Sequence, residues 1–267
     1  MSRLREVFAE ARADDRAVLI GYLPAGFPTL ADCVSVIEAM VENGVDIVEI
    51  GLPYSDPLMD GPVIAAAVTA SLAAGTRTRD VLKVVEGVAA TGAPALVMSY
   101  WNPIERYGLE PFAAALAAAG GSGVITPDLT PEEADPWISA TDEHGIDRVF
   151  LVAPSSSQAR LAKVSAVTTG FVYAASTMGV TGTRTTVSSA AQELVERVRP
   201  HTTLPVCVGL GVSTAAQAAE IAAYADGVIV GSAFVKALQE APSPGAGANA
   251  VAQLAGELAA GVRAGRR

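Results

Sequence analysis

The segment EIGLPYSDPLMDGP, residues 49–62, contains the two acids best placed to do chemistry, Glu49 and Asp60. Glu49 ends a short apolar stretch, where a strand inside a protein normally continues with Val or Ile. A carboxyl group held there is poorly solvated, which favours its neutral form and suits proton transfer near neutral pH. We therefore predict that Glu49 carries a proton in catalysis. The competing interpretation is an acid that faces solvent or caps a neighbouring loop.

Asp60 immediately precedes Gly61 and Pro62. On local chemistry alone a helix cap is the favoured role, since Asp often caps helices and Pro often occupies their first position. The three prolines of the loop, however, restrict its backbone. Such a loop could hold a second carboxyl group opposite Glu49, so a catalytic role for Asp60 is the alternative.

Three segments late in the chain are candidates for binding an anion and closing over it. The glycine-rich turns 209–214 and 230–234 each open a predicted helix, and the first N–H groups of a helix attract anions. Ordinary turns that use Gly and Ser as caps are the competing interpretation. Residues 176–189 are rich in Gly, Ser and Thr and longer than a turn requires, which predicts a lid. Arg184 in this segment is expected to be a solvated charge.

The scaffold for these residues is predicted from apolar, β-branched runs that alternate with segments of helical period. Eight strands are predicted, at 18–23, 46–50, 95–100, 123–126, 148–152, 170–174, 206–209 and 227–231. This alternation predicts an α/β fold, a single (β/α)8 TIM barrel over residues 1–267 with an extra N-terminal helix and a C-terminal helix. A doubly wound open sheet is the alternative, disfavoured because no G-x-G-x-x-G follows the first strand.

Position in a barrel strengthens the functional interpretation, because barrel enzymes have their active sites at the C-terminal ends of the strands. Both acids and both glycine-rich turns are predicted to lie there. Residues 241–250 (APSPGAGANA) have the composition of a linker and are expected to separate the C-terminal helix from the barrel.

Composition argues against several classes of partner and cofactor. The formal net charge of −10 disfavours nucleic acids and anionic membranes. No targeting segment or transmembrane stretch is visible, which predicts a cytoplasmic protein. Lys83, Lys163 and Lys236 fall in predicted helices, away from strand ends, which argues against a Schiff base or a PLP anchor. Cys33 and Cys207 have no metal-ligand spacing, so no metal site is predicted.

A series of motifs extends over nearly the whole chain: EIGLPYSDPLMDGPVI, MSYWNPIERYG, TPDLTPEE, VYAASTMGVTGTR, VGLGVS and GSAFVK. In their order and spacing they resemble the α subunits of tryptophan synthase. The resemblance implies retro-aldol cleavage of indole-3-glycerol phosphate to indole and glyceraldehyde 3-phosphate in L-tryptophan biosynthesis, with no cofactor in this chain. It also implies a PLP-dependent β subunit that receives the indole, in a complex of two α and two β chains.

The resemblance also implies roles for individual residues. Glu49 matches the catalytic acid/base, Asp60 matches the acid that partners the indole N–H, and Tyr173 matches a supporting tyrosine. The matched substrate-binding residues are Tyr22, Met98, Thr181, Gly182, Leu210, Gly211, Ile229, Gly231 and Ser232. The matched partner interface is Pro53, Tyr54, Asp56, Pro57 and Asn102. Two further interpretations stay open, a regulatory barrel that binds a phosphorylated ligand without turnover and a stand-alone lyase that releases free indole.

Overall fold

The computed structural model describes residues 2–175, 184–209 and 211–265, without the side chains of 184–188. The strands are β1 (Val18–Pro24), β2 (Ile47–Gly51), β3 (Ala95–Met98), β4 (Gly123–Ile125), β5 (Asp147–Val149), β6 (Leu151–Val152), β7 (Val172–Ala175), β8 (Val206–Gly209) and β9 (Gly227–Val230). The first six helices are α1 (Arg3–Ala13), α2 (Leu30–Glu42), α3 (Pro62–Ala73), α4 (Thr78–Ala90), α5 (Trp101–Tyr107) and α6 (Leu109–Ala118). The others are α7 (Asp135–His144), α8 (Gln158–Val167), α9 (Arg184–Val198), α10 (Ala215–Ala222), α11 (Ser232–Gln239) and α12 (Pro244–Ala264), with 3-10 turns at Pro131–Glu133 and Arg199–His201.

All strands run parallel in one sheet, in the order β5-β4-β3-β2-β1-β9-β8-β7-β6. β5 and β6 are two parts of the single strand predicted at 148–152, interrupted at Phe150. β5 pairs with β4 and β6 pairs with β7, so the interrupted strand joins the two ends of the sheet. The sheet is therefore a nearly closed barrel, which confirms the predicted (β/α)8 architecture and rules out the doubly wound open sheet.

Helix α1 covers the N-terminal end of the barrel. Leu4, Val7 and Phe8 belong to the apolar cluster inside the strands, and the rings of Phe8 and Phe171 lie 5.8 Å apart. The amphipathic pattern of the segment explains this placement, because its apolar face needs a surface to cover. The opposite, C-terminal end of the barrel is left for the site.

Two expectations about the chain's last third need correction. Helix α12 begins at Pro244, so most of the stretch predicted as a linker is helical. Its small residues serve close packing instead of flexibility: Gly247 is buried, and a Cβ atom there would lie 3.1 Å from Leu238 Cδ2. Helix α9 begins at Arg184, inside the predicted lid, while residues 176–183 lie outside the described residues.

Within the described part of the chain, no helix has both the length and the apolar character needed to cross a membrane.

Candidate active site

A cavity of about 320 Å³ lies at the C-terminal ends of the strands. Nine residues predicted for the site line it, namely Tyr22, Glu49, Asp60, Met98, Tyr173, Gly211, Ile229, Gly231 and Ser232. The other three, Thr181, Gly182 and Leu210, lie outside the described residues. Strand order explains how residues so far apart in sequence converge, since neighbouring strands end at the same rim. The volume is typical of a site for a small molecule.

Glu49 lies in β2 with its side chain directed into the barrel. Ile47, two residues earlier and on the same face of the strand, belongs to the apolar cluster inside the barrel. Val48 and Ile50, on the other face, belong to the apolar cluster between the strands and the surrounding helices. Glu49 is 1% exposed, and its Oε1 atom finds no hydrogen-bond partner among the described residues. Burial raises the pKa of Glu49 from 4.5 to about 8. The carboxyl group is therefore neutral at neutral pH and holds a proton that it can transfer.

Asp60 lies half-buried in the loop between β2 and α3. The hydroxyl of Tyr100 donates to Asp60 Oδ1 at 2.8 Å and accepts the N–H of Met59 at 3.0 Å. The N-cap of α3 is Gly61, and no side chain caps this helix. The expectation that Asp60 is a helix cap is therefore wrong, because the chain reaches the N-cap position one residue later and the carboxylate turns to Tyr100 instead.

Two tyrosines of the cavity each lie over a glycine of the adjacent strand. A Cβ atom at Gly51 would lie 2.3 Å from the hydroxyl oxygen of Tyr22, and one at Gly209 would lie 2.6 Å from that of Tyr173. Only glycine leaves room for the phenol groups in these places. Burial, followed by nearby carboxyl groups, raises the pKa of both tyrosines well above 10. Both phenols therefore stay protonated beside Glu49 and can donate hydrogen bonds.

The two glycine-rich turns contribute differently to the cavity. Helix α10 begins after Thr214, whose hydroxyl accepts the N–H of Gln217 at 3.3 Å. Helix α11 begins at Ser232 in the cavity wall, after Gly231, and no side chain caps it. The first N–H groups of α11 are thus the ones available to an anion in the cavity. The earlier turn supplies Gly211, in a left-handed conformation with φ of +61°.

The residues matched to a partner interface lie on the loop after β2 and at the start of α5. Asn102 Nδ2 donates to the hydroxyl of Tyr54 at 3.1 Å, and the Ser55 hydroxyl donates to Asp56 Oδ2 at 2.6 Å. Asp56 is exposed, whereas Pro53 is buried and Pro57 is partly buried. Leu58, on the same loop, is 74% exposed, which is unusual for a large apolar side chain. The loop therefore presents both polar and apolar groups to solvent.

Sequence reasoning did not single out several residues at the site. Met59 and Leu151 also line the cavity, and Tyr100 binds Asp60 from the segment between β3 and α5. A tyrosine at a strand end, inside one of the recognised motifs, was the available signal for Tyr100. Leu151 follows the interruption of the fifth strand, which the apolar run 148–152 gave no means of detecting.

A barrel enzyme that moves protons on a phosphorylated substrate needs a neutral acid and a place for the phosphate in the same cavity. Glu49 on β2 offers the acid, and the first turn of α11, after β9, offers backbone N–H groups to an anion, with β1 between the two strands. Among the described residues, no group of three or more His, Cys, Asp or Glu side chains could hold a metal ion. Fold and site together define the class: a (β/α)8 barrel suited to acid–base chemistry on a phosphorylated small molecule.

Comparison with known proteins gives the family. The family model of the tryptophan synthase alpha chain matches residues 8–263. The tryptophan synthase alpha chain of Thermobifida fusca is 61% identical over 270 residues, covering 100% of both chains. That of Mycobacterium tuberculosis is 58% identical over 264 residues, covering 99% of this chain and 96% of the relative. The chain belongs to the tryptophan synthase alpha chain family.

Solved structures agree with this assignment. A structure of Mycobacterium tuberculosis tryptophan synthase superposes with a TM-score of 0.92 at 57% identity, covering 98% of each chain. The tryptophan synthase subunit alpha of Legionella pneumophila superposes with a TM-score of 0.89 at only 31% identity, covering 98% of each chain. The barrel is thus kept where two thirds of the residues differ. The predicted family and enzyme class, a carbon–carbon lyase, are confirmed.

Proposed function

We propose that this chain catalyses the retro-aldol cleavage of indole-3-glycerol phosphate to indole and glyceraldehyde 3-phosphate. The observation that carries the proposal is Glu49, a buried acid with a pKa of about 8 that faces a cavity of about 320 Å³. The family relationship supplies the substrate. The proposal is supported by a protonated acid, a second carboxyl group and the uncapped first turn of α11, which all line one cavity.

Glu49 acts first as an acid and then as a base. An indole anion is a poor leaving group, so the ring carbon that bears the side chain takes the Glu49 proton before the carbon–carbon bond breaks. The Glu49 carboxylate then removes the proton of the hydroxyl on the adjacent side-chain carbon. The O–H electron pair forms the aldehyde carbonyl, and the pair of the broken carbon–carbon bond returns to the ring. One proton is added and one is removed, so Glu49 ends as it began.

Asp60 accepts a hydrogen bond from the indole N–H while positive charge develops on the ring nitrogen. Its fixed position matters because a preorganised acceptor stabilises this charge without moving during the reaction. Tyr173, a neutral phenol that also lines the cavity, supports the acid. These three residues form the proposed catalytic set.

Two sets of cavity residues bind the two parts of the substrate. Gly211, Gly231 and Ser232 bind the phosphate, with the first N–H groups of α11 as donors. Tyr22, Met98 and Ile229 form the wall around the indole ring. Thr181, Gly182 and Leu210 are assigned to the lid, the phosphate and the indole wall by the family resemblance alone.

The family relationship implies a β subunit as partner. We propose that it binds at Pro53, Tyr54, Asp56, Pro57 and Asn102, in a complex of two α and two β chains in the cytoplasm. Indole then passes to the β subunit, whose PLP serves the second reaction. An exposed loop that begins at the rim of the cavity is well placed to connect docking with the site.

The test is an assay of indole release from indole-3-glycerol phosphate, with and without the β subunit. The parent chain is expected to release indole, more rapidly with the β subunit, and Glu49→Gln is expected to lose about 10²- to 10⁴-fold in kcat. Glu193→Gln, the same change at an exposed carboxyl group on α9, is the control. A parent chain that binds the substrate without cleaving it would favour a regulatory barrel, and activity unaffected by the β subunit would favour a stand-alone lyase.

A further inference from the structure

We infer that Tyr100 is a positioning residue for the cleavage reaction, whose hydroxyl holds the Asp60 carboxylate in place for the indole N–H. This inference rests on the proposed function. Tyr100 does not line the cavity and was not among the predicted site residues. It acts through Asp60, which does line the cavity.

One atom of Tyr100 holds the loop in two ways. Its hydroxyl hydrogen goes to Asp60 Oδ1 at 2.8 Å, and its oxygen accepts the N–H of Met59 at 3.0 Å. The first bond fixes the side chain of Asp60, and the second fixes the backbone immediately before it. Asp60 has two χ angles and sits in a loop, so without these bonds its carboxylate could adopt several orientations.

Tyr100 is itself held firmly on the barrel. It is the N-cap of α5 and is only 7% exposed. The Ser99 hydroxyl donates to the Tyr100 carbonyl oxygen at 2.7 Å, and the N–H of Trp101 donates to Asp128 Oδ1 at 2.9 Å. The carbonyl group of Tyr100 is therefore held by the adjacent Ser99, and the backbone after Tyr100 is tied to the loop after β4.

The ring of Tyr100 also packs against the loop it controls. Its centroid lies 5.6 Å from that of Tyr54, at an angle of 42°. Burial, followed by the hydrogen bond to Asp60, raises the pKa of Tyr100 to about 12. The phenol consequently keeps its proton, and keeps donating to Asp60, at every pH at which the enzyme would be assayed.

Tyr100→Phe removes the hydroxyl and keeps the ring that packs on Tyr54. We expect kcat/KM for indole release to fall about 10- to 100-fold, as for loss of a hydrogen bond to a charged group. The affinity for glyceraldehyde 3-phosphate should change less than about 2-fold, because this ligand probes the phosphate end of the cavity. Tyr107→Phe is the matched control, since that tyrosine ends the same helix, is 39% exposed and packs on Phe112.

A double-mutant cycle separates positioning from a general structural role. The affinity for a non-cleavable analogue that keeps the indole and the phosphate is measured in the parent, Tyr100→Phe, Asp60→Asn and the double variant. Tyr100→Phe should weaken binding several-fold in the parent and less than about 2-fold when Asp60 is already Asn. Equal losses in both backgrounds, or parental kcat/KM in Tyr100→Phe, would overturn the inference. Failure of the proposed function is distinguishable, since the parent itself would then release no indole.

Discussion

Replacing Glu49 by Gln should make the folded protein more stable at alkaline pH while it destroys the proposed acid. The perturbation removes only the ability to ionise, because the two side chains have nearly the same shape. Raising the pKa of Glu49 from 4.5 to about 8 costs its ionised form on the order of 5 kcal/mol, at about 1.36 kcal/mol per pH unit. The cause is burial, and no charged group among the described residues offsets it.

The free energy of unfolding depends on pH because the folded and unfolded chains bind different numbers of protons at Glu49. Below pH 4.5 Glu49 is protonated in both the folded and the unfolded chain, and the favourable contribution of its proton is fully present. Between pH 4.5 and 8 the unfolded chain loses this proton and the folded chain keeps it, so the free energy of unfolding falls by about 1.36 kcal/mol per pH unit. Above pH 8 the folded chain has lost it too, and the contribution is gone. Gln cannot titrate, so the variant avoids this loss.

Urea unfolding of the parent and Glu49→Gln at pH 4.5 and pH 8.5 measures the effect. A buried amide without a partner costs about 1–3 kcal/mol at both pH values. The quantity to compare is therefore the difference in free energy of unfolding between the two proteins, and how much this difference changes between the two pH values. We expect this difference to move in favour of the variant by about 3–5 kcal/mol on going to pH 8.5. Glu193→Gln should show no such movement. A shift below about 1 kcal/mol would mean that Glu49 is already ionised at neutral pH, and the acid role would fail.

Three further outcomes are expected. The kcat for indole release should hold up to about pH 8 and fall about tenfold per pH unit above it, as Glu49 loses its proton; a profile taken from pH 6 to 10 checks this. Gly209→Ala should lower kcat/KM about 10²-fold in the same assay, because the new Cβ would lie 2.6 Å from the Tyr173 hydroxyl and displace it. Asn102→Ala removes a 3.1 Å hydrogen bond to Tyr54, and calorimetric titration should show about 5-fold weaker binding of the β subunit with unchanged indole release by the isolated chain.

Much of the fold could be predicted because strands of a parallel barrel are buried on both faces and therefore stand out as apolar runs. The interruption at Phe150 could not be predicted, since it depends on β5 pairing with one neighbour and β6 with the other. The start of α12 was misplaced for a different reason. Small residues near Pro244 are typical of linkers and equally of close helix packing, and only the contact with Leu238 decides between them.

The sequence predicts a site residue when that residue alone is unusual in its local context. Glu49 is conspicuous because it interrupts an apolar strand, and its burial follows from the inward face it shares with Ile47. The contact between Tyr100 and Asp60 joins residues 40 positions apart, and it exists only because the loop after β2 folds over the end of β3. The residues next to Asp60 gave no sign of this contact, so local chemistry favoured a helix cap instead. Contacts between loops at the ends of neighbouring strands depend on loop geometry that no local sequence pattern encodes.

The two acids differ in the way that a protonation followed by a bond cleavage requires. In the proposed mechanism Glu49 is neutral at the start, and its position inside β2 favours this because burial is the dominant influence on its pKa. In the same mechanism Asp60 accepts a hydrogen bond from the ring nitrogen, and the Tyr100 hydroxyl holds its carboxyl group in one orientation on the loop. Placing one acid on a strand and the other on a loop is therefore what divides the work between them.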